Sequence, residues 1–302
     1  MITTNELNNF KSKEYQDFYD KSVDPDTFLK FWYEESKELF WYKAPTEDNM
    51  ITMEKPPFYK WYPNSTTNIC YNCIDRHVKN NLGSNLCLIH ESAYSDKTIT
   101  YTFKEALEHV GKLAWVLKNK FGVKRGDRVI IYMPMVLEGI LSMLACARIG
   151  AIHSVVFGGF AAEELENRIT SSKPVLLITA SVGIEPRKQI PYYPIIKEAL
   201  NGRQINVLML QREEFYIEKN VIENITFDYN KELQLAKEIE PCVEMDSNEV
   251  LYILYTSGTT GSPKGITRDI GGTCVALNFS GKYIMDLNPG DVNFSTSDIG
   301  WV

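Results

Sequence analysis

From residue 102 onward the chain alternates between two hydrophobic periods. Thr102 followed by Glu105 forms a capping-box pattern, and Ala106, Leu107, Val110, Leu113, Ala114 and Leu117 follow at helical spacing. Gly122–Asp127 turns the chain. Short apolar runs then predict strands at Arg128–Tyr132, Ile152–Phe157, Val175–Thr179 and Asn206–Leu210. Between them, 3.6-residue periodicity predicts helices at Leu137–Ile149, Glu163–Ser171 and Tyr193–Leu200, with Gly150 as the residue just past the first of these. Strand residues that are apolar in succession, not alternately, suit a sheet buried on both faces. The expected fold over 82–302 is therefore α/β: a mainly parallel sheet with helices on both faces. A further run, Val250–Tyr255, reads as one more buried strand, and ligands of such sheets lie beyond the carboxyl ends of the strands.

The flanking segments read differently. Residues 1 to about 60 are rich in aromatics, and Phe28, Phe31 and Trp32 with Glu35 fit a short amphipathic helix whose rings pack a core. Asn85–Glu91 reads as a strand. Gln211–Asp246 is polar and mixed in charge, which predicts an exposed loop with a short helix.

Composition narrows the function. The 302 residues are 44% hydrophobic and 24% charged, an ordinary globular balance for one large or two smaller domains. A net charge of −7 argues against a nucleic-acid binder working through a basic surface. Gly139–Ala162 is interrupted by Arg148 and His153, so no membrane span is expected. The N-terminus has no apolar signal core, and six scattered cysteines suit a reducing compartment, so the cytoplasm is expected. Cys70, Cys73, Cys87 and His90 have a spacing that could bind zinc. The strand reading turns Cys87 and His90 to opposite sides, and no metal site is expected there.

The strongest chemical signal is Tyr255–Gly265, YTSGTTGSPKG. Glycines let backbone approach a ligand closely, N–H groups and hydroxyls donate to phosphate oxygens, and Lys264 adds a point charge. A Walker-type loop is excluded, because Pro263 precedes Lys264 and Gly265 stands where a Mg²⁺-binding hydroxyl is required.

These residues resemble the signature loop of the adenylate-forming superfamily of acyl-CoA synthetases, luciferases and peptide-synthetase adenylation domains. The resemblance implies that Thr256, Ser257, Gly258, Thr259, Thr260, Gly261 and Lys264 hold the phosphates of ATP while a carboxylate attacks, with Lys264 as a catalytic residue. The nucleophile is already an anion, so no general base is needed; His109 and His153 read as structural. The stretch Lys60–Val78, with its YNCIDRH, resembles the entry segment of acetyl- and propionyl-CoA synthetases. Residues 1–80 then form that family's N-terminal leader and 81–302 a truncated AMP-binding domain. Val156–Phe160 with Arg168 resembles a further family turn and helix. By the same resemblance Arg187 and Lys188 contact CoA, and Trp301 and Val302 begin the wall of the acyl pocket.

The implied reaction is ATP-dependent activation of acetate or propionate through acyl-AMP to acyl-CoA. Its partners are the small carboxylate, ATP and CoA, with Mg²⁺ whose ligands lie outside this chain. The family's adenine- and ribose-binding residues and its small C-terminal domain have no counterpart in these residues. The chain thus reads as an N-terminal fragment, expected alone to make no acyl-CoA and at most to bind ATP weakly. The alternative is a truncated, non-catalytic paralogue that binds nucleotide weakly or pairs with another chain.

Overall fold

A computed structural model describes residues 13–92, 94, 97–185, 188–212, 225–256 and 263–301. The chain divides into two compact units. One unites Asn68–Met245, Glu249–Ile270 and Asn293–Val302; the other unites Met1–Thr67, Asp246–Asn248 and Gly271–Val292.

The larger unit is built on a seven-stranded sheet. In chain order its strands are β1 Arg128–Met133, β2 Ile152–Phe157, β3 Leu176–Ala180, β4 Asn206–Leu210, β5 Thr226–Asp228, β6 Val250–Thr256 and β7 Lys264–Asp269. They lie side by side as β5-β4-β3-β1-β2-β6-β7. All neighbours run parallel except β6 and β7, which form an antiparallel hairpin at one edge. The longer α-helices of this unit are α1 Phe103–Trp115, α2 Leu137–Arg148, α3 Ala162–Ser172 and α4 Tyr192–Leu200.

The strand order fixes where the helices go. Passing from β1 to β2 moves one way along the sheet, whereas β2 to β3 and β3 to β4 move the other way. Right-handed crossovers then put α2 on one face and α3 and α4 on the opposite face. Accordingly Leu165 and Ile169 of α3 and Ile196 and Leu200 of α4 bury against Ile130, Tyr132, Val156, Leu177 and Val207. Val129 and Ile131, pointing the other way, are also fully buried. The β1 and β3 crossovers leave in opposite directions along the sheet, so the switch point lies between these two neighbours, and the gap between the carboxyl ends of β1 and β2 lies beside it.

Local signals behave as their chemistry requires. Thr102 and Glu105 close a capping box at the start of α1. Gly150 has a φ of +74° just past α2, a conformation that costs glycine little. The 85–91 segment forms a strand, Leu86–Ser92, but pairs only with Lys97–Thr102, as a separate hairpin. Within 211–246, residues 213–224 lie outside the described residues and the expected short helix forms at Tyr229–Gln234, but Tyr229 and Glu240 are buried, Tyr229 through a hydrogen bond to His109 and Glu240 through its carbonyl on Arg148. Its charge pattern records the solvated side chains and hides those two anchors.

In the smaller unit the aromatic segment makes a core. Trp32, Tyr33, Trp41 and Trp61 pack around Met50, Tyr62 and Val275. Phe31 meets Phe18 and Phe279 edge-on, with ring centroids 5.0 and 5.9 Å apart, and Phe18 stacks on Phe279 at 5.9 Å. Among the described residues no helix is long and apolar enough to cross a membrane.

Candidate active site

Two neighbouring features converge at the carboxyl ends of β1, β2 and β6. The first is the base of the β6–β7 hairpin. Thr256, the last residue of β6, pairs across the ladder with Lys264, the first of β7, and Tyr255 pairs with Gly265. Lys264 therefore begins a strand instead of ending a loop, a partner strand that the sequence reading did not foresee. The segment with Ser257, Gly258, Thr259, Thr260 and Gly261 lies outside the described residues. The residues that flank it, Thr256 and Lys264 among them, are held a strand-spacing apart. Lys264 is exposed and, among the described residues, makes no ion pair.

Arg168 braces the end of β6. It is buried on α3, with its guanidinium carbon 4.7 Å from the Phe160 ring centroid and 5.5 Å from that of Tyr255. Its Nη1 donates to Glu164 Oε2 at 2.6 Å, so the charge is balanced within α3. The sequence motif named this arginine; the contact with Tyr255, which precedes Thr256, assigns it a supporting part.

The second feature fills the crevice between β1 and β2. The Ile299 N–H donates to Met135 Sδ at 3.4 Å, just past β1. Gly300 lies so close to β2 that a Cβ there would stand 2.8 Å from the Phe157 nitrogen. Asp298 accepts from the Gly300 N–H at 2.7 Å, and partial burial raises its pKa against that hydrogen bond. Trp301 follows, its ring 6.3 Å from Phe157 and edge-on to it, still 66% exposed. Val302 lies outside the described residues. The turn after β2 is equally tight: a Cβ on Gly158 would meet the Tyr192 hydroxyl at 2.5 Å and the Met133 carbonyl oxygen at 2.7 Å.

The remaining candidates sit elsewhere. Lys188 is exposed and starts a strand, Lys188–Pro191, paired with Val182–Glu185 beyond β3; Arg187 lies outside the described residues. Of the zinc-spaced residues, His90 donates to the Met135 carbonyl at 3.0 Å, and Cys70 packs beside Asp75 and Cys242. His109 bridges Tyr101 and Tyr229, and burial holds it neutral with a pKa of about 4. His153 is buried against Tyr252, its pKa likewise pushed down by burial to about 4.

Chemically, the described edge offers the Thr256 hydroxyl and the Lys264 ammonium on paired strands, beside Phe157, Ile299 and Trp301. Nothing in the described geometry supplies a base–nucleophile pair.

Residues 83–302 match the family of AMP-binding enzymes, and residues 15–73 match the acetyl-coenzyme A synthetase N-terminus. The chain is 45% identical over 294 residues to the mitochondrial acyl-CoA synthetase short-chain family member 3 of Mus musculus, covering 96% of this chain and 42% of that protein. It is 39% identical to the acetyl-coenzyme A synthetase of Bartonella bacilliformis (95% and 44% covered) and 38% identical to the propionate–CoA ligase of Escherichia coli K12 (95% and 45%). Among solved structures, acetoacetyl-CoA synthetase from Streptomyces lividans shares the fold with a TM-score of 0.82, at 23% identity over 96% of this chain and 43% of that one. The chain spans less than half the length of these relatives.

Proposed function

The chain belongs to the family of AMP-binding enzymes, and from that membership we propose that it forms the ATP-phosphate-gripping part of a short-chain acyl-CoA synthetase acting on acetate or propionate. The acid's carboxylate oxygen attacks the α-phosphorus of ATP, the bond to the β-phosphate oxygen breaks, and pyrophosphate leaves. The CoA thiolate then attacks the acyl carbon and AMP departs. The observation that carries this reading is the hairpin base, where Thr256 and Lys264 face each other one strand away from the crevice closed by Ile299 and Gly300.

In this reading Thr256, Ser257, Gly258, Thr259, Thr260 and Gly261 donate to phosphate oxygens, and Lys264 offsets the charge that builds as pyrophosphate separates. Trp301 and Val302 bound the acyl group; the edge-on seat of Trp301 against Phe157 supports that role. Arg187 and Lys188 contact the phosphates of CoA. A Mg²⁺ ion would supply further charge neutralisation on the triphosphate. The one described carboxylate at this edge, Asp298, is turned onto its own backbone, so no ligand here is assigned to the ion. The division into a leader, 1–80, and an AMP-binding part, 81–302, belongs to the same proposal. The acidic balance supports small-molecule partners over nucleic acid. Cysteines outside any disulfide support a reducing setting, proposed as the cytoplasm.

Acid-dependent exchange between ATP and pyrophosphate tests the proposal. In the natural-length protein containing these residues, acetate or propionate should drive exchange and longer acids should not. Lys264→Ala should lower it about a hundredfold or more, the scale of losing one such transition-state contact. Exchange driven only by other acids, or unaffected by Lys264→Ala, contradicts the reading.

A further inference from the structure

Asn68 ties three distant parts of the larger unit together. Its Oδ1 accepts from the N–H groups of Cys70 and Tyr71, at 2.9 and 3.3 Å. Its Nδ2 donates to the carbonyls of Ala147, at the end of α2, and of Val243, at 3.1 and 2.9 Å. Val243 N–H returns a bond to the Arg148 carbonyl at 2.9 Å. This junction sets Cys70 and Cys242 side by side. Their sulfurs and a carboxylate oxygen of Asp75 all lie within 4.8 Å of one another.

Arg148 closes the cluster. Its two terminal nitrogens grip Asp75 at 2.8 and 3.0 Å, and Nη1 also donates to Cys70 Sγ at 3.4 Å. Its Nε donates to the Glu240 carbonyl. Cys70 is fully buried, whereas Cys242 is half-buried, and the Asp75 side chain keeps a slight opening. Neither cysteine is in a disulfide.

We infer that Cys70 and Cys242 form a peroxide-sensitive dithiol, an oxidative modification site that closes to a disulfide in the folded protein. The proton distribution favours this. Burial alone would raise the Cys70 pKa, but the hydrogen bond from Cys242 and the Arg148 charge outweigh it, leaving it lowered. The bond with Cys70 and burial keep Cys242 protonated. Cys70 is therefore the more acidic thiol of the pair and Cys242 the sulfur nearer solvent.

The electron balance closes with a hydroperoxide as oxidant. Cys70 in its thiolate form takes the Cys242 proton across their hydrogen bond, and the Cys242 thiolate so formed attacks one peroxide oxygen; the O–O bond breaks, and the departing hydroxide takes that proton back from Cys70 as water. The resulting sulfenic acid is attacked at sulfur by the Cys70 thiolate. The S–S bond forms, hydroxide leaves and takes a proton from solvent, and two thiols have been oxidised while one peroxide became two waters. The two sulfurs already lie within 4.8 Å of one another, and Asn68 holds the backbone beside each cysteine, so closure asks only for a short approach of the sulfurs. A divalent metal is the competing use of two thiols and a carboxylate. Arg148 opposes it, because its guanidinium already holds both oxygens of Asp75 and one lone pair of Cys70.

The test is non-reducing digestion and mass spectrometry of the purified, reduced chain after exposure to hydrogen peroxide. The expected product is a linked peptide pair joining Cys70 to Cys242, lost on treatment with dithiothreitol. In Cys242→Ser, Cys70 should remain alkylatable after unfolding. If peroxide consumes the exposed Cys73 while Cys70 and Cys242 stay reduced, the inference is overturned. Stoichiometric zinc in the untreated protein, lost in Cys242→Ser, would overturn it too. The linked pair is read in the unmodified protein, so a variant that fails to fold leaves the decision intact.

Discussion

The Arg168 guanidinium lies 5.5 Å from the ring centroid of Tyr255 and 4.7 Å from that of Phe160. One buried cation on α3 thus touches both the turn after β2 and the strand residue that precedes Thr256. The strand that leads into the proposed phosphate contacts is braced from outside its own segment.

Arg168→Met should destabilise the protein by about 1–2 kcal/mol, the worth of a partly desolvated cation–π contact plus a charge-assisted hydrogen bond. Urea unfolding of Arg168→Met, Tyr255→Leu and the double variant checks this. A coupling near zero between the two positions would show that the ring contact contributes nothing.

Gly158 tests the tightness of the crevice. Gly158→Ala places a Cβ against backbone of Met133 and the Tyr192 hydroxyl, and overpacking of this kind costs about 1–3 kcal/mol. At Gly202, a Cβ meets nothing within 4 Å and the φ is +79°, so Gly202→Ala should lose only the roughly 1 kcal/mol of left-handed backbone. Thermal unfolding of the two variants should rank them in that order.

Stability should fall with acid through two histidines. His109 and His153 are neutral in the fold down to about pH 4, whereas the unfolded chain protonates them near 6.5. The unfolded state binds more protons between those values, so stability is full above about 6.5 and is lost as pH falls toward 4. Each site contributes at most about 3 kcal/mol. His153 Nδ1 has no hydrogen-bond partner among the described residues, so His153→Phe should flatten the slope without breaking a bond at that atom. An unchanged slope between pH 6.5 and 4 would count against the buried neutral state.

Arg148 and Asp75 form a bidentate buried pair. Removing one member strands the other, so Asp75→Asn should cost about 3–5 kcal/mol. Arg148→Met combined with Asp75→Asn should cost clearly less than the sum of the single changes. Additive losses in a double-mutant cycle would mean the pair is not coupled.

Much of the architecture was legible because each strand is an unbroken apolar run and each helix repeats at 3.6 residues. Arg128–Met133, Ile152–Phe157 and Asn206–Leu210 fall within a residue of their expected bounds. What escaped reading was long-range pairing. Lys264–Asp269 carries the polar KGITRD, with no apolar alternation, and becomes a strand because β6 offers it a ladder. Arg148 looked like an interruption in an apolar helix, yet its partners Asp75 and Glu240 come from remote segments whose spacing encodes no contact. At the candidate site, the loop and Trp301 announced themselves by motif, whereas the bracing role of Arg168 required the fold.

In the proposed function the hairpin between β6 and β7 grips the phosphates of ATP through Lys264. The most direct measurement is calorimetric titration of the 302-residue chain with ATP, alone and in the presence of pyrophosphate. Binding should be weak, should be competed by pyrophosphate, and should weaken about tenfold or more in Lys264→Ala, a loss of roughly 1.4 kcal/mol. ATP binding of equal strength in Lys264→Ala, untouched by pyrophosphate, would contradict the account.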